Sequence, residues 1–315
     1  SSAASDVYKR QIFYYLHKNY SISSHPEITL EANPDDLTPD YIAMLRTLPF
    51  NRLSMGIQTF NESILKVLQR RHTARQAIEA FQNCRAAGFQ NISIDLMYGL
   101  PGETLSTWQQ DLDQALLLHP EHLSAYHLIY EEDTVLWKLR EQHKVEEADE
   151  DLSVSLFSTL IDRLTSEGYD HYEISNFSLP GLYSRHNSSY WTEKKYLGCG
   201  PSAHSYNGVS RQWNVASLDT YIKGISAGTP VFEIEELDLY TRYNDFVITR
   251  IRTEWGMPLS KLRDEFGEKL YDYCLRMAAP HLKQGTLELV NDILKLTRKG
   301  IFISDGIMSD MLWTD

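Results

Sequence analysis

The run Asn91-Ile92-Ser93-Ile94-Asp95-Leu96-Met97-Tyr98, followed by Gly99-Leu100-Pro101-Gly102-Glu103-Thr104, narrows the possible folds more than any other segment. β-Branched apolar residues favour an extended strand, glycine and proline interrupt it, and Thr104 is a helix-starting residue. The pattern recurs. Ile28 to Asn33 runs into Pro34, and Arg52 to Gln58 and His122 to Leu128 are further short apolar runs. Helix signals lie between them: Thr38-Pro39 is an N-cap followed by proline, Thr73 opens a helix that Gly88 closes, and Ser106 to Gln109 fits a capping box. Strands alternating with helices predict an α/β fold with a parallel sheet, open or closed. Its ligand site belongs at the strands' C-terminal ends, where Asp95 is expected.

The acidic stretch Glu146 to Asp151 leads into a helix with an apolar stripe of Leu152, Leu156, Phe157, Leu160, Ile161 and Leu164, ended by Gly168. Residues 170–235 are rich in Tyr, Ser, Asn and Gly and lack regular periodicity. From about Tyr240 helices return, with a β-prone segment from Thr286 to Val290, which suggests a small winged-helix-like module. The expected division is a leader over 1–11, an α/β part over 12–169, a connecting segment over 170–235 and a C-terminal module over 236–315.

Composition excludes several classes. The formal net charge of −13 disfavours a nucleic-acid backbone, and residues 240–315 balance eleven Lys/Arg against eleven Asp/Glu, so no basic footprint rescues that reading. No apolar stretch approaches the ~20 residues of a membrane helix. Three dispersed cysteines, Cys84, Cys199 and Cys274, point to a reducing, cytoplasmic location. Nucleophile-elbow, P-loop, dinucleotide and zinc-protease patterns are absent from the sequence.

Two constellations carry chemistry. Glu31, Gln58 and Asp95 fall at or near strand ends and Arg70 follows Gln58 by twelve residues. Together they offer acceptors for an ammonium and sugar hydroxyls, and a guanidinium for a carboxylate. Each also has a plain structural reading: Arg70 and Arg71 as a solvated helix end, the others as loop-capping side chains. The second is Ser184 to Trp191, followed by the glycine-rich Tyr196 to Ser205. Here His186 beside Tyr190 and Trp191 can ligate iron and stack on a flat macrocycle, or can pin an irregular loop. Cys199 reads as a small buried hydrophobe rather than a thiolate ligand.

With these segments in view, the chain resembles the radical S-adenosylmethionine (SAM) proteins of the oxygen-independent coproporphyrinogen III oxidase family, and its heme-chaperone branch most of all. The resemblance runs from about Ile12 to the C-terminus. It rests on Leu30 to Pro34, Arg52 to Phe60, Arg70-Arg71-His72, Asp95 to Gly102, Tyr172 to Phe177 and His186 to Trp191. It implies a partial (β/α) barrel lacking its first strands, with a C-terminal winged-helix-like module. Glu31, Gln58, Arg70 and Asp95 match positions that contact SAM. His186, Asn187, Tyr190 and Trp191 match an H-N-x-x-Y-W motif associated with heme, His186 being the implied iron ligand. The implied cofactors are SAM, heme and, in the full-length parent, a [4Fe–4S] cluster; the implied partner is an acceptor hemoprotein. The cluster's C-x-x-x-C-x-x-C motif and a Gly-Gly-Thr-Pro segment have no match here, and the expectation is an N-terminally truncated chain. The alternative implied activity is oxidative decarboxylation of coproporphyrinogen III.

Overall fold

The structure is a computed structural model and describes residues 2–314. The chain divides into two compact units, Ser1–Ser184 and Arg185–Asp315.

The first unit runs α1 (Ser2–Asn19), β1 (Thr29–Ala32), a 3-10 turn (Pro34–Asp36), α2 (Pro39–Leu45), β2 (Arg52–Gln58), α3 (Glu62–Val67), α4 (Ala74–Ala86), β3 (Ile92–Tyr98), α5 (Leu105–Leu117), β4 (His122–His127), α6 (Val135–Glu141), α7 (Glu150–Ser166), β5 (Asp170–Glu173) and β6 (Asn176–Ser178). Helix starts follow the capping chemistry. Thr38 accepts from Tyr41 N, and Thr73 forms a reciprocal box with Gln76. At α5 the box lies two residues before the expected Ser106: Thr104 is extended (φ −125°, ψ 163°) and exchanges hydrogen bonds with Thr107. An N-cap needs non-helical backbone, and Ser106 is already inside the first turn.

The sheet has the order β1-β2-β3-β4-β6-β5. Strands β1 to β4 are parallel, whereas β6 is antiparallel to both β4 and β5. The expected parallel sheet is thus mixed. Only Ile174 and Ser175 separate β5 from β6, too short a link for a parallel crossover.

Alternation splits the sheet into two unlike faces. Leu53, Met55, Ile57, Ile92, Ile94, Leu96, Leu123 and Ala125 form the apolar face and are each at most 1% exposed. The helices add Phe81 and Cys84 from α4, Trp108 and Leu112 from α5, and Leu156, Leu160 and Leu164 from α7 to this core. Burial of each large side chain is worth about 1.5–3 kcal/mol. Trp108 Nε1 donates to Leu156 O at 3.0 Å, tying α5 to α7. The opposite face carries Thr29, Glu31, Arg52, Ser54, Ser93, Asp95, His122 and Ser124.

The second unit contains α8 (Arg185–Trp191), β7 (His204–Tyr206), β8 (Ser210–Asn214), α9 (Leu218–Ser226), β9 (Phe232–Glu236), α10 (Leu239–Ile251), β10 (Met257–Pro258), α11 (Leu259–Gln284, broken at Gly267), β11 (Leu287–Val290), β12 (Ile293–Leu296), α12 (Arg298–Ile301) and α13 (Ser304–Met311). One antiparallel sheet has the order β7-β8-β9; the other, β10-β12-β11, packs with α10 and α11 as a winged-helix-like module. Residues 170–235 are therefore structured. Their strands are three to five residues long, too short for a visible period.

Candidate ligand site

Asp95 lies mid-strand rather than at the mouth of β3, because pairing with β4 continues through Met97–Tyr126 and Tyr98–His127. The chain turns only at Gly99 (φ 72°). Gly99 is required there, since a Cβ would stand 2.6 Å from His127 Nε2. Ser54 Oγ donates to Asp95 Oδ1 at 3.3 Å from β2. Ser124, the register partner of Asp95 on β4, adds a hydrogen bond from the other side. Burial nevertheless pushes the Asp95 carboxyl up to about 6, with the negative charge of Glu31 adding to the rise. Those two carboxylates therefore share one polar surface.

The remaining two candidates meet at Gly56, the register partner of Asp95. Gln58 ends β2 in the left-handed region (φ 71°). A Cβ on Gly56 would fall 2.8 Å from Gln58 Nε2 and 3.5 Å from Arg70 Nη2, so the bare backbone permits this convergence. Arg70 Nη2 donates to Asn33 Oδ1 at 2.6 Å and to Gly56 O at 3.0 Å. It is half-buried, unlike Arg71, whose side chain is exposed and paired with Asp35 at 2.7 Å. Of the two arginines, the solvated helix-end reading fits Arg71 alone.

Sequence reasoning missed Ser54, Ser124 and Asn33. The serines were detectable as polar positions alternating with apolar ones. Asn33 lies in the matched Leu30 to Pro34 segment, but its contact with Arg70 spans 37 residues and left no local trace. Missed too was Glu103, whose Oε2 accepts from Gly99 N (2.7 Å) and Leu100 N (3.3 Å) and fixes the turn after β3. Burial raises its carboxyl to about 7.

In the second unit His186, Asn187, Tyr190 and Trp191 all lie on α8. His186 is exposed and its Nε2 lies 3.0 Å from Tyr190 Oη, one helical turn on. Tyr190 also packs edge-on against Tyr196, with centroids 4.8 Å apart. The Trp191 ring is half-buried, and the Arg252 guanidinium covers one face at 4.3 Å. Cys199 is exposed, against the expectation of a small buried hydrophobe; its glycine-flanked turn supplies no apolar cover. Cys84 and Cys274 are buried, and burial lifts both thiols to about 12.

Residues 6–115 match the radical SAM superfamily and residues 237–303 the HemN C-terminal domain. The heme chaperone HemW of Bacillus subtilis is 30% identical over 287 residues, which are 91% of this chain and 76% of that protein. HemW of Lactococcus lactis is 32% identical over 292 residues, 92% and 76% of the two chains. This chain belongs to the HemW family. The Escherichia coli coproporphyrinogen III oxidase HemN shares its fold, with a TM-score of 0.80 at 22% identity over 96% of this chain and 74% of that one. Membership of the radical SAM superfamily implies SAM and a [4Fe–4S] cluster. The half-buried Asp95 and the exposed Glu31 offer carboxylate acceptors that suit a cationic, hydroxyl-bearing ligand such as SAM. The cluster does not fit: among the described residues no group of three His, Cys, Asp or Glu could hold a metal ion. No helix among the described residues is long and apolar enough to cross a membrane.

Proposed function

We propose that this chain binds heme and passes it to an acceptor hemoprotein, with SAM held on the polar face of the first sheet supporting that role. The observation that carries the reading is its identity of 30–32% to two HemW heme chaperones along more than nine-tenths of its length. The exposed imidazole of His186 supports it, since a neutral imidazole is a good axial ligand for heme iron. Tyr190 adds an accessible aromatic ring beside it. In the SAM site, Asp95 and Glu31 would accept from ammonium or ribose hydroxyls, and Arg70 and Gln58 would orient the remainder. The bound cofactor would supply its methionine and adenosyl groups; this chain's residues bind and orient them. Likeness to the oxidase concerns the fold alone and favours no decarboxylase reading.

Absorption spectroscopy with added hemin tests the proposal. A stable complex with a shifted Soret band is expected, saturating at a fixed stoichiometry. A spectrum that remains that of free hemin at all protein concentrations would overturn it.

A further inference from the structure

The N-terminal ends of β1, β2 and β3 carry a second polar group, at the far end of the strands from Gly56 and Gln58. Thr29 is the register partner of Arg52, and Leu53 N donates to Asn91 O at 3.0 Å, so Arg52 and Asn91 are neighbours where their strands begin. Alternation sets all three on the polar face: Thr29 with Glu31, Arg52 with Ser54 and Asn91 with Ser93. Thr29 Oγ1, Arg52 Nε and Asn91 Oδ1 are each buried without a hydrogen-bond partner. Three such atoms at adjacent positions are unusual in a native core, where nearly every buried polar group is paired.

Arg52 makes the case sharpest. It is only 4% exposed and, among the described residues, makes no ion pair. A guanidinium cannot shed its proton, so the buried charge persists and demands a counter-charge. Among the described residues no neighbouring carboxylate pairs with it directly; Asp95 acts on it only at longer range. Ser93 Oγ is spent on His122 Nδ1 at 2.7 Å, and His122 Nε2 on Tyr172 Oη at 2.7 Å. Burial, and then the charge of Arg52, keep His122 neutral. Asp95, further along β3, feels the charge of Arg52 but accepts its hydrogen bonds from Ser54 and Ser124 and makes no ion pair with the guanidinium.

We propose that Thr29, Arg52 and Asn91 form a binding site for a small oxyanion bearing a hydroxyl, of the class of hydrogencarbonate or inorganic phosphate. The donor set selects that chemistry. Arg52 and Thr29 donate to anionic oxygens, which a guanidinium fork matches well, whereas Asn91 Oδ1 accepts and so requires a proton on the ligand. Thr29 and Asn91 are half-buried and flank the buried Arg52 in register. The site is independent of the heme reading.

The test is the thermal midpoint of the full chain in hydrogencarbonate, phosphate, sulfate or chloride at equal ionic strength. Once the site is half-filled, the wild-type midpoint should rise by about 3 °C for each tenfold increase in hydrogencarbonate or phosphate. Arg52→Met should abolish that response and, in chloride, melt above wild type, because an unpaired buried charge has been replaced by an apolar chain. Thr29→Val keeps the charge and should weaken the apparent affinity about tenfold, the worth of one hydrogen bond to a charged group. It carries the test if Arg52→Met does not fold. A wild-type midpoint identical in all four salts, or an Arg52→Met response equal to wild type, would overturn the site. Sulfate acting as strongly as phosphate would overturn the requirement for a hydroxyl.

Discussion

Ser54 on β2 reaches across to Asp95 on β3, its hydroxyl donating to the carboxylate at 3.3 Å, and so holds a charge-bearing group on an otherwise buried strand pair. Ser54→Ala should destabilise the first unit by about 1 kcal/mol at pH 7, the net worth of one hydrogen bond. At pH 5, where Asp95 is largely protonated because burial raises it to about 6, the cost should be smaller. Denaturant titration at the two pH values checks this. Equal losses would mean the hydroxyl does not favour the ionised form. SAM affinity, measured by equilibrium dialysis, should fall more for Asp95→Ala than for Ser54→Ala.

Glu103 gives a second pH signature. Its carboxyl ordinarily titrates at 4.5 and burial lifts it to about 7, so between those values the folded chain keeps a proton that the unfolded chain has lost. The associated stability is fully present below pH 4.5 and is lost as pH rises through 7. Glu103→Gln can still accept from Gly99 N but cannot ionise. It should flatten the stability curve across that window and exceed wild type by up to about 3.5 kcal/mol at pH 8, at roughly 1.4 kcal/mol per unit. Parallel curves for the two proteins would show that Glu103 titrates normally.

How much of this arrangement the sequence disclosed depends on how local each contact is. Thr73 and Thr38 were legible because an N-cap and its partner lie three residues apart. Asp95 was legible as a lone carboxylate in an apolar run, but not its depth. That depth is set by pairing of Met97 and Tyr98 with β4, a non-local event. Arg70 was recognisable as a candidate, yet its partners Asn33 and Gly56 stand 37 and 14 residues away and left no periodic trace. Glu103 could have been read from its spacing, since a carboxylate three or four residues beyond a Gly-Leu turn can return to cap it. The mixed sheet was hidden because β5 and β6 are too short to declare a direction.

Anaerobic reconstitution of the 315-residue chain with iron and sulfide should give no stoichiometric cubane cluster. Such a cluster needs several thiolates at compatible positions. Cys84 and Cys274 are buried with thiols raised to about 12, and only Cys199 is exposed. Iron and sulfide retained in a four-to-four ratio, with a reducible absorption band, would contradict this.

His186→Ala should weaken hemin binding at least tenfold and alter the Soret band, whereas Cys199→Ala and His204→Ala should each stay within about twofold of wild type; the larger loss corresponds to at least 1.4 kcal/mol. All three side chains are exposed, so solvent access does not separate them. Chemistry does. His186 stands one turn from the accessible Tyr190 ring and can offer a nitrogen once the 3.0 Å contact with Tyr190 Oη loosens. His204 is stacked on Trp213, with centroids 5.9 Å apart. Cys199 is a thiol in a glycine turn, and a thiol must ionise to ligate iron well. Tyr190→Phe sharpens the comparison. It removes the hydroxyl that occupies His186 and keeps the ring, so hemin binding should be retained or modestly tightened. Wild-type affinity and spectrum for His186→Ala would remove α8 as the source of the iron ligand, whatever Tyr190→Phe does.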